Sequence, residues 1–208
     1  MTDLEALKEA VIAGDMEMAT ELTRAAINEE IEPEKILKQG LIAAMDIVGD
    51  RFSRNEIYIP EILIAARAMK SAMEILEPAL VKAGVKPVGK FVIGTVAGDM
   101  HDIGKNLVAM MMKGAGFEVI DLGVDVSAAR FIEQAKAANA QIIGMSALLT
   151  TTMSSMEEVV KAVKKAGMKT KTMVGGAPVT ADYANRIGAD GFAQDAAAAV
   201  PVAKGLVA

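Results

Sequence analysis

The sequence predicts an α/β protein in two parts: an N-terminal four-helix bundle, then a doubly wound sheet of five parallel strands. Three observations predict it. Residues 1–83 place apolar side chains at three- and four-residue intervals, the spacing of a helix buried along one face. Residues 91–208 alternate short apolar runs with amphipathic stretches, the pattern of a parallel sheet covered on both sides. Between them, residues 84–90 (GVKPVGK) hold two glycines and a proline and carry no helical period. The chain is therefore read as bundle 1–83, linker 84–90 and sheet domain 91–208.

In the bundle, Thr2 and Glu5 have capping-box spacing ahead of Leu4, Leu7 and Val11. Gly14-Asp15 breaks this helix and offers Asp15 as the next N-cap, before a helix through Met18, Leu22 and Ala26. Pro33 suits the first turn of a third helix, with Leu37, Leu41, Ala44, Val48 and Phe52 along one side. Pro60 opens a fourth, carrying Ile62, Ala66, Met69, Met73, Leu76 and Leu80. Short breaks between the four favour an antiparallel bundle.

In the second part, strands are expected at 91–97, 118–122, 141–146, 170–174 and 191–193. Helices are expected between them, at about 103–115, 127–138, 153–166 and 180–187, with a last one at 195–206. Five such units fit the strand order 2-1-3-4-5, in which ligands sit beyond the carboxyl ends of strands one and three, where the winding reverses.

Composition narrows the chemistry. The 52% of hydrophobic residues supply a sizeable core. No apolar run approaches the roughly 20 residues of a membrane span, and residues 1–15 lack the basic and apolar regions of a secretory leader. A cytoplasmic protein without a membrane partner is expected. A net charge of −5 argues against nucleic acid as a partner. There is no Cys and one His, so thiolate chemistry and multi-histidine metal sites within one chain are excluded. Any metal chemistry must use carboxylates, or a metal whose other ligands belong to a cofactor.

The lone His101 falls after the first strand, within Gly98-Asp99-Met100-His101-Asp102-Ile103-Gly104-Lys105-Asn106. After the third strand comes Ser146-Ala147-Leu148-Leu149-Thr150-Thr151-Thr152, and after the fourth Gly175-Gly176. All three segments belong to the expected ligand edge. Asp102 suits the N-cap of the following helix. Lys105 and Asn106 read equally as ligand contacts or as solvated first-turn residues.

The motif Asp99-x-His101-x-x-Gly104, followed by Ser146-x-Leu148 and Gly175-Gly176, resembles the cobalamin-binding module of corrinoid-dependent methyltransferases, that of methionine synthase included. Through Asp50-Arg51-Phe52 and Ile57-Tyr58-Ile59-Pro60-Glu61, the helical half resembles the cap of the same family, so the likeness covers nearly the whole chain. The resemblance implies a Rossmann-like domain of flavodoxin-type strand order. It implies cobalamin or a related corrinoid as cofactor, in methylcobalamin and cobalt(I) forms, bound base-off with His101 as lower axial cobalt ligand. A corrin ring fills four equatorial positions of cobalt, so one imidazole suffices and a single-histidine protein can hold the metal.

By the same resemblance, Asp99 partners the histidine, Thr152 supplies a hydroxyl nearby, and Thr150 faces the cofactor. Gly104, Gly175 and Gly176 leave room for the nucleotide tail, Ser146 hydrogen-bonds it, and Leu148 walls its slot. Asp102 completes the expected cofactor-binding set, and no residue of the chain is expected to be catalytic. The implied function is a methyl carrier between a methyl-donor-specific methyltransferase and a second methyltransferase with a folate or thiol acceptor, served by a reductive activator. The small subunit of an adenosylcobalamin-dependent mutase, or a cobalamin-based sensor, is the alternative. A phospho-acceptor signalling domain shares the sheet order, but would need an Asp after strand three and a Lys after strand five. Ser146 and Ala193-Gln194-Asp195 stand there instead.

Overall fold

The computed structural model describes residues 2–208 and divides into two compact units. One runs up to Pro87 and includes Gly114–Gly116; the other comprises Val88–Lys113 and Phe117–Ala208.

The first unit is helical: α1 (Leu4–Ala13), α2 (Met16–Asn28), α3 (Pro33–Lys35), a π-helical stretch (Ile36–Ile42), α4 (Ala43–Ser53) and α5 (Ile59–Ala83). Asp15 caps α2 as expected, its side chain accepting from Met18 N at 3.0 Å. At α1 the cap is Asp3 and not Thr2: Asp3 Oδ1 accepts from Glu5 N at 2.9 Å. The carboxylate one residue nearer the helix displaces the expected hydroxyl.

The third helix is expected as regular, but α3, the π-helical stretch and α4 form one unbroken rod with a wider turn in its middle. A π turn adds a residue per turn and rotates the helix beyond it. Met45 is therefore buried beside Ala44, Leu41 and Val48, whereas Phe52 is only half-buried. Gly40 lies in the widened turn, where a Cβ would come within 2.7 Å of Leu7 Cδ2. On α5 the buried line is Ile62, Ala65, Met69, Ala72, Leu76 and Leu80, and the expected Ala66 and Met73 flank it half-buried.

The second unit holds β1 (Lys90–Thr95), α6 (Ile103–Gly114), β2 (Glu118–Asp121), α7 (Ala128–Ala138), β3 (Ile142–Ser146), α8 (Met153–Lys165), β4 (Lys171–Gly175), α9 (Ala181–Ile187), β5 (Gly191–Ala193) and α10 (Ala196–Val207). All neighbouring strands pair in parallel, in the order β2-β1-β3-β4-β5, so the expected winding reversal between β1 and β3 is present.

Strand residues alternate between faces. Val92, Ile143 and Val174 pack with Phe131 of α7, Met156 and Val160 of α8, and Tyr183 of α9. On the opposite face, a Cβ on Gly191 would meet Val202 and Leu206 of α10. Two strand glycines make room for aromatic rings. A Cβ on Gly94 would meet Phe131 Cζ at 2.8 Å, and one on Gly144 would meet Phe91 Cζ at 2.5 Å. Among the described residues, no helix is long and apolar enough to cross a membrane.

Phe131 has no exposed surface and fills the space that Gly94 leaves. Phe131→Ala is expected to cost the second unit about 3–5 kcal/mol, read by urea unfolding.

Candidate functional site

Strand register aligns the site. Thr95 of β1 pairs with Ser146 of β3, Ser146 with Gly175 of β4, and Gly175 with Ala193 of β5. One row across the sheet thus marks the carboxyl edge, and the loops that leave it carry the expected residues.

The loop after β1 turns at Gly98, whose φ of +81° suits glycine. Gly98 N donates to Asp125 Oδ1 at 2.7 Å, and Asp125 N donates to the Asp99 carbonyl at 3.0 Å. Ser155 Oγ donates to the Ala97 carbonyl at 3.1 Å, and buried Thr95 Oγ1 donates to the His101 carbonyl at 2.8 Å. Thr95, Asp125 and Ser155 were not expected as site residues. They bond loop backbone, a role that no local pattern announces.

Asp99 has no exposed surface and is the acceptor at the centre. Its Oδ1 accepts from His101 N at 3.1 Å and from His101 Nδ1 at 2.7 Å. Its Oδ2 accepts from Leu148 N at 2.8 Å, Leu149 N at 3.2 Å and Thr152 Oγ1 at 2.8 Å. Burial by itself would raise this carboxyl's pKa. The bonds from the His101 ring, Leu148 N–H, the Thr152 hydroxyl and His101 N–H outweigh it and hold the group well below the usual carboxylate range.

An ionised Asp99 can only accept, so Nδ1 of His101 carries the proton. In the neutral ring the lone pair then lies on Nε2, and the side chain is 52% exposed. The imidazole is thus held by one nitrogen and offers the other. Around it stand apolar side chains with large exposed surface: Met100 (68%), Ile103 (78%), Leu148 and Leu149. At Gly104 a Cβ would meet nothing within 4 Å. One ring nitrogen left unbonded to Asp99, open space at Gly104 and an uncovered apolar rim suit a metal whose other ligands come from a macrocycle.

The other expected residues divide. Thr152 is buried, and its hydroxyl reaches Asp99 and, at 2.9 Å, the Leu149 carbonyl. Thr152 holds the N-cap position of α8 but makes no side-chain capping bond. A short 3-10 turn, Thr150–Thr152, leads into the helix. Thr150 is exposed on that turn, Leu148 is exposed beside it, and Ser146 is half-buried at the strand end. Asp102 accepts Asn106 N through its carbonyl at 2.8 Å and Asn106 Nδ2 through its carboxylate at 3.0 Å.

Lys105 is not solvated; it is buried and bonded to Asp121 and Asn106. Gly176, at φ +128°, has a reason within the chain itself, since a Cβ there would lie 1.9 Å from the Ala147 carbonyl oxygen. Gly175 is similar, with 3.0 Å to the Ala193 carbonyl oxygen.

Linkage gives Asp99 a pH signature. Its folded pKa lies below the ordinary aspartate value of about 4. The stability it supplies is therefore complete above that value and is lost as pH falls toward the depressed folded value. Asp99→Asn removes the titrating group. The variant is expected to be less stable at neutral pH, with a shallower loss of stability below about pH 4, measured by urea unfolding across pH.

The B12 binding domain family matches residues 89–201, and a second B12 binding domain family matches residues 3–77. The chain is 43% identical to a dimethylamine corrinoid protein of Methanosarcina acetivorans, with 100% of both chains covered. It is similar in structure to a cobalamin-binding protein of Desulfitobacterium hafniense: TM-score 0.83, 34% identity, 100% of both chains covered. It is also similar to a chain of the methanol:cobalamin methyltransferase complex of Methanosarcina barkeri: TM-score 0.86, 27% identity, 98% of this chain and 79% of that one. With a family model over most of the second unit and relatives aligned end to end, this chain belongs to the B12-binding family, as a corrinoid protein.

Proposed function

We propose that the protein carries a methyl group on corrinoid cobalt between two methyltransferases, with His101 as the lower axial ligand. The observation that carries this reading is the Asp99–His101 pair, which fixes the proton on Nδ1 and leaves Nε2 free to donate. When bound, the corrinoid supplies a cobalt centre that accepts a methyl group and gives it up again.

The chain's residues have three tasks. Asp99 orients the ring and raises its basicity through the Nδ1–H bond. The imidazole would hold cobalt through Nε2 or stand free of it, and in either case its Nδ1–H stays bonded to Asp99 Oδ1. Thr152, Leu148 N and Leu149 N hold the charge on Asp99 in both situations.

Ser146, Leu148, Thr150, Gly104, Gly175 and Gly176 are proposed to line the slot for the nucleotide tail, with Asp102 beside the histidine. Residues 1–83 are proposed as a separate helical module, joined through linker 84–90 to the cobalamin domain 91–208.

The likeness to a chain from a methanol:cobalamin methyltransferase complex supports a donor-specific methyltransferase as one partner. The dimethylamine corrinoid relative supports a small methylated compound as the ultimate donor. A second methyltransferase with a folate or thiol acceptor, and a reductive activator, complete the proposed system.

His101→Ala is expected to retain corrinoid while its visible spectrum shifts to that of cobalt without a protein nitrogen. An unchanged axial-ligand band in the reconstituted variant would refute the assignment.

A further inference from the structure

Lys105 is 2% exposed, and an ammonium withdrawn from water needs compensating partners. It has them: Lys105 Nζ donates to Asp121 Oδ2 at the end of β2 and to Asn106 Oδ1 at 2.6 Å. An ammonium can only donate and an ionised carboxylate can only accept, so these contacts fix the Asn106 amide. Its oxygen faces Lys105 and its nitrogen faces Asp102 Oδ2, at 3.0 Å. Asp102 directly follows His101 in the chain.

On the other side, Asp121 Oδ1 accepts from Gly123 N at 2.9 Å. The Gly123 carbonyl accepts from Thr95 N at 3.0 Å, and Thr95 Oγ1 donates to the His101 carbonyl at 2.8 Å. The bonds close a ring: Lys105, Asp121, Gly123, Thr95, His101, Asp102, Asn106 and back to Lys105. It holds the His101 carbonyl on one side and the Asp102 carboxylate on the other, and the buried ammonium is the link that joins β2 to α6. Asp99, by contrast, holds the His101 N–H and ring from outside this circuit.

We infer that Lys105, braced by Asp121, is a positioning residue that sets where His101 presents its ring to cobalt. The inference rests on the reading of His101 as the axial ligand and adds a second support to it, independent of Asp99. Asp99 decides which nitrogen is free. The Lys105 circuit decides where that nitrogen stands, by fixing the backbone beneath it.

The test uses the full chain with two variants, Lys105→Met and Asp121→Asn, alongside wild type and His101→Ala. In the cofactor-free proteins, amide hydrogen exchange is followed at His101 and Asp102 by NMR. In protein loaded with cob(II)alamin, the nitrogen superhyperfine splitting in the EPR spectrum counts cobalt bound by a protein nitrogen, confirmed by 15N-histidine labelling. Lys105→Met is expected to retain cobalamin, to exchange faster at His101 and Asp102, and to lower the ratio of His-bound to His-free cobalt by about tenfold. Asp121→Asn is expected to move both readouts in the same direction by less.

A lowered Tm with unchanged exchange at these two residues and an unchanged His-bound ratio would overturn the proposal, because that is what a merely stabilising ion pair predicts. If Lys105→Met fails to fold, Asp121→Asn decides by the same two readouts. Wild type without splitting from a labelled histidine, or His101→Ala that retains it, would sink the axial-ligand reading and the proposal with it. Splitting present in wild type, lost in His101→Ala and undiminished in both circuit variants would sink the proposal alone.

Discussion

The second unit is organised around a negative charge kept out of water. Taking a carboxylate into a protein interior costs several kcal/mol unless donors surround it, and Asp99 has no exposed surface at all. Its donors come from two places far apart in sequence: His101 just after it, and the Leu148, Leu149 and Thr152 stretch beyond β3. The requirement to satisfy one side chain therefore binds the loop after β1 to the loop after β3, at the point where the sheet's winding reverses. The imidazole is presented as a consequence, because the most exposed of those donors is the ring that remains half in solvent.

Much of the surrounding structure serves to make this burial possible. Parallel pairing in the order β2-β1-β3-β4-β5 sets β1 and β3 side by side, so that their carboxyl ends and the loops beyond them are neighbours. Gly176 permits the backbone after β4 to pass close to the Ala147 carbonyl, a contact no Cβ could share. The glycine pair therefore supports the shape of the edge as well as any slot beside it.

Legibility in the sequence varied with how local the physics was. Strand and helix positions are set by the period of apolar residues, and the five strands lie within a residue or two of expectation. The parallel order was legible from the alternation of element types, since crossover connections leave few arrangements. The site motif was legible as well, because its residue types are rare and closely spaced. What escaped was of another kind. The π-helical stretch at Ile36–Ile42 has no periodic signature distinct from an α-helix. The cap on Asp3 instead of Thr2 turned on a single-residue choice between two good capping side chains.

The sequence by itself determined the class of the fold and the motif, and with one histidine and no cysteine it restricted any metal to carboxylate ligands or to a cofactor. Tertiary structure alone decided the partners of the loop residues. Lys105 reads equally as a ligand contact or a solvated first-turn lysine until β2 delivers Asp121 beside it, and Thr95 reads as an interior strand residue until the His101 carbonyl arrives above it. The reason is that residue type and period report local geometry and burial tendency. Hydrogen-bond partners separated by a crossover are specified only when the sheet closes and brings its carboxyl ends into one row.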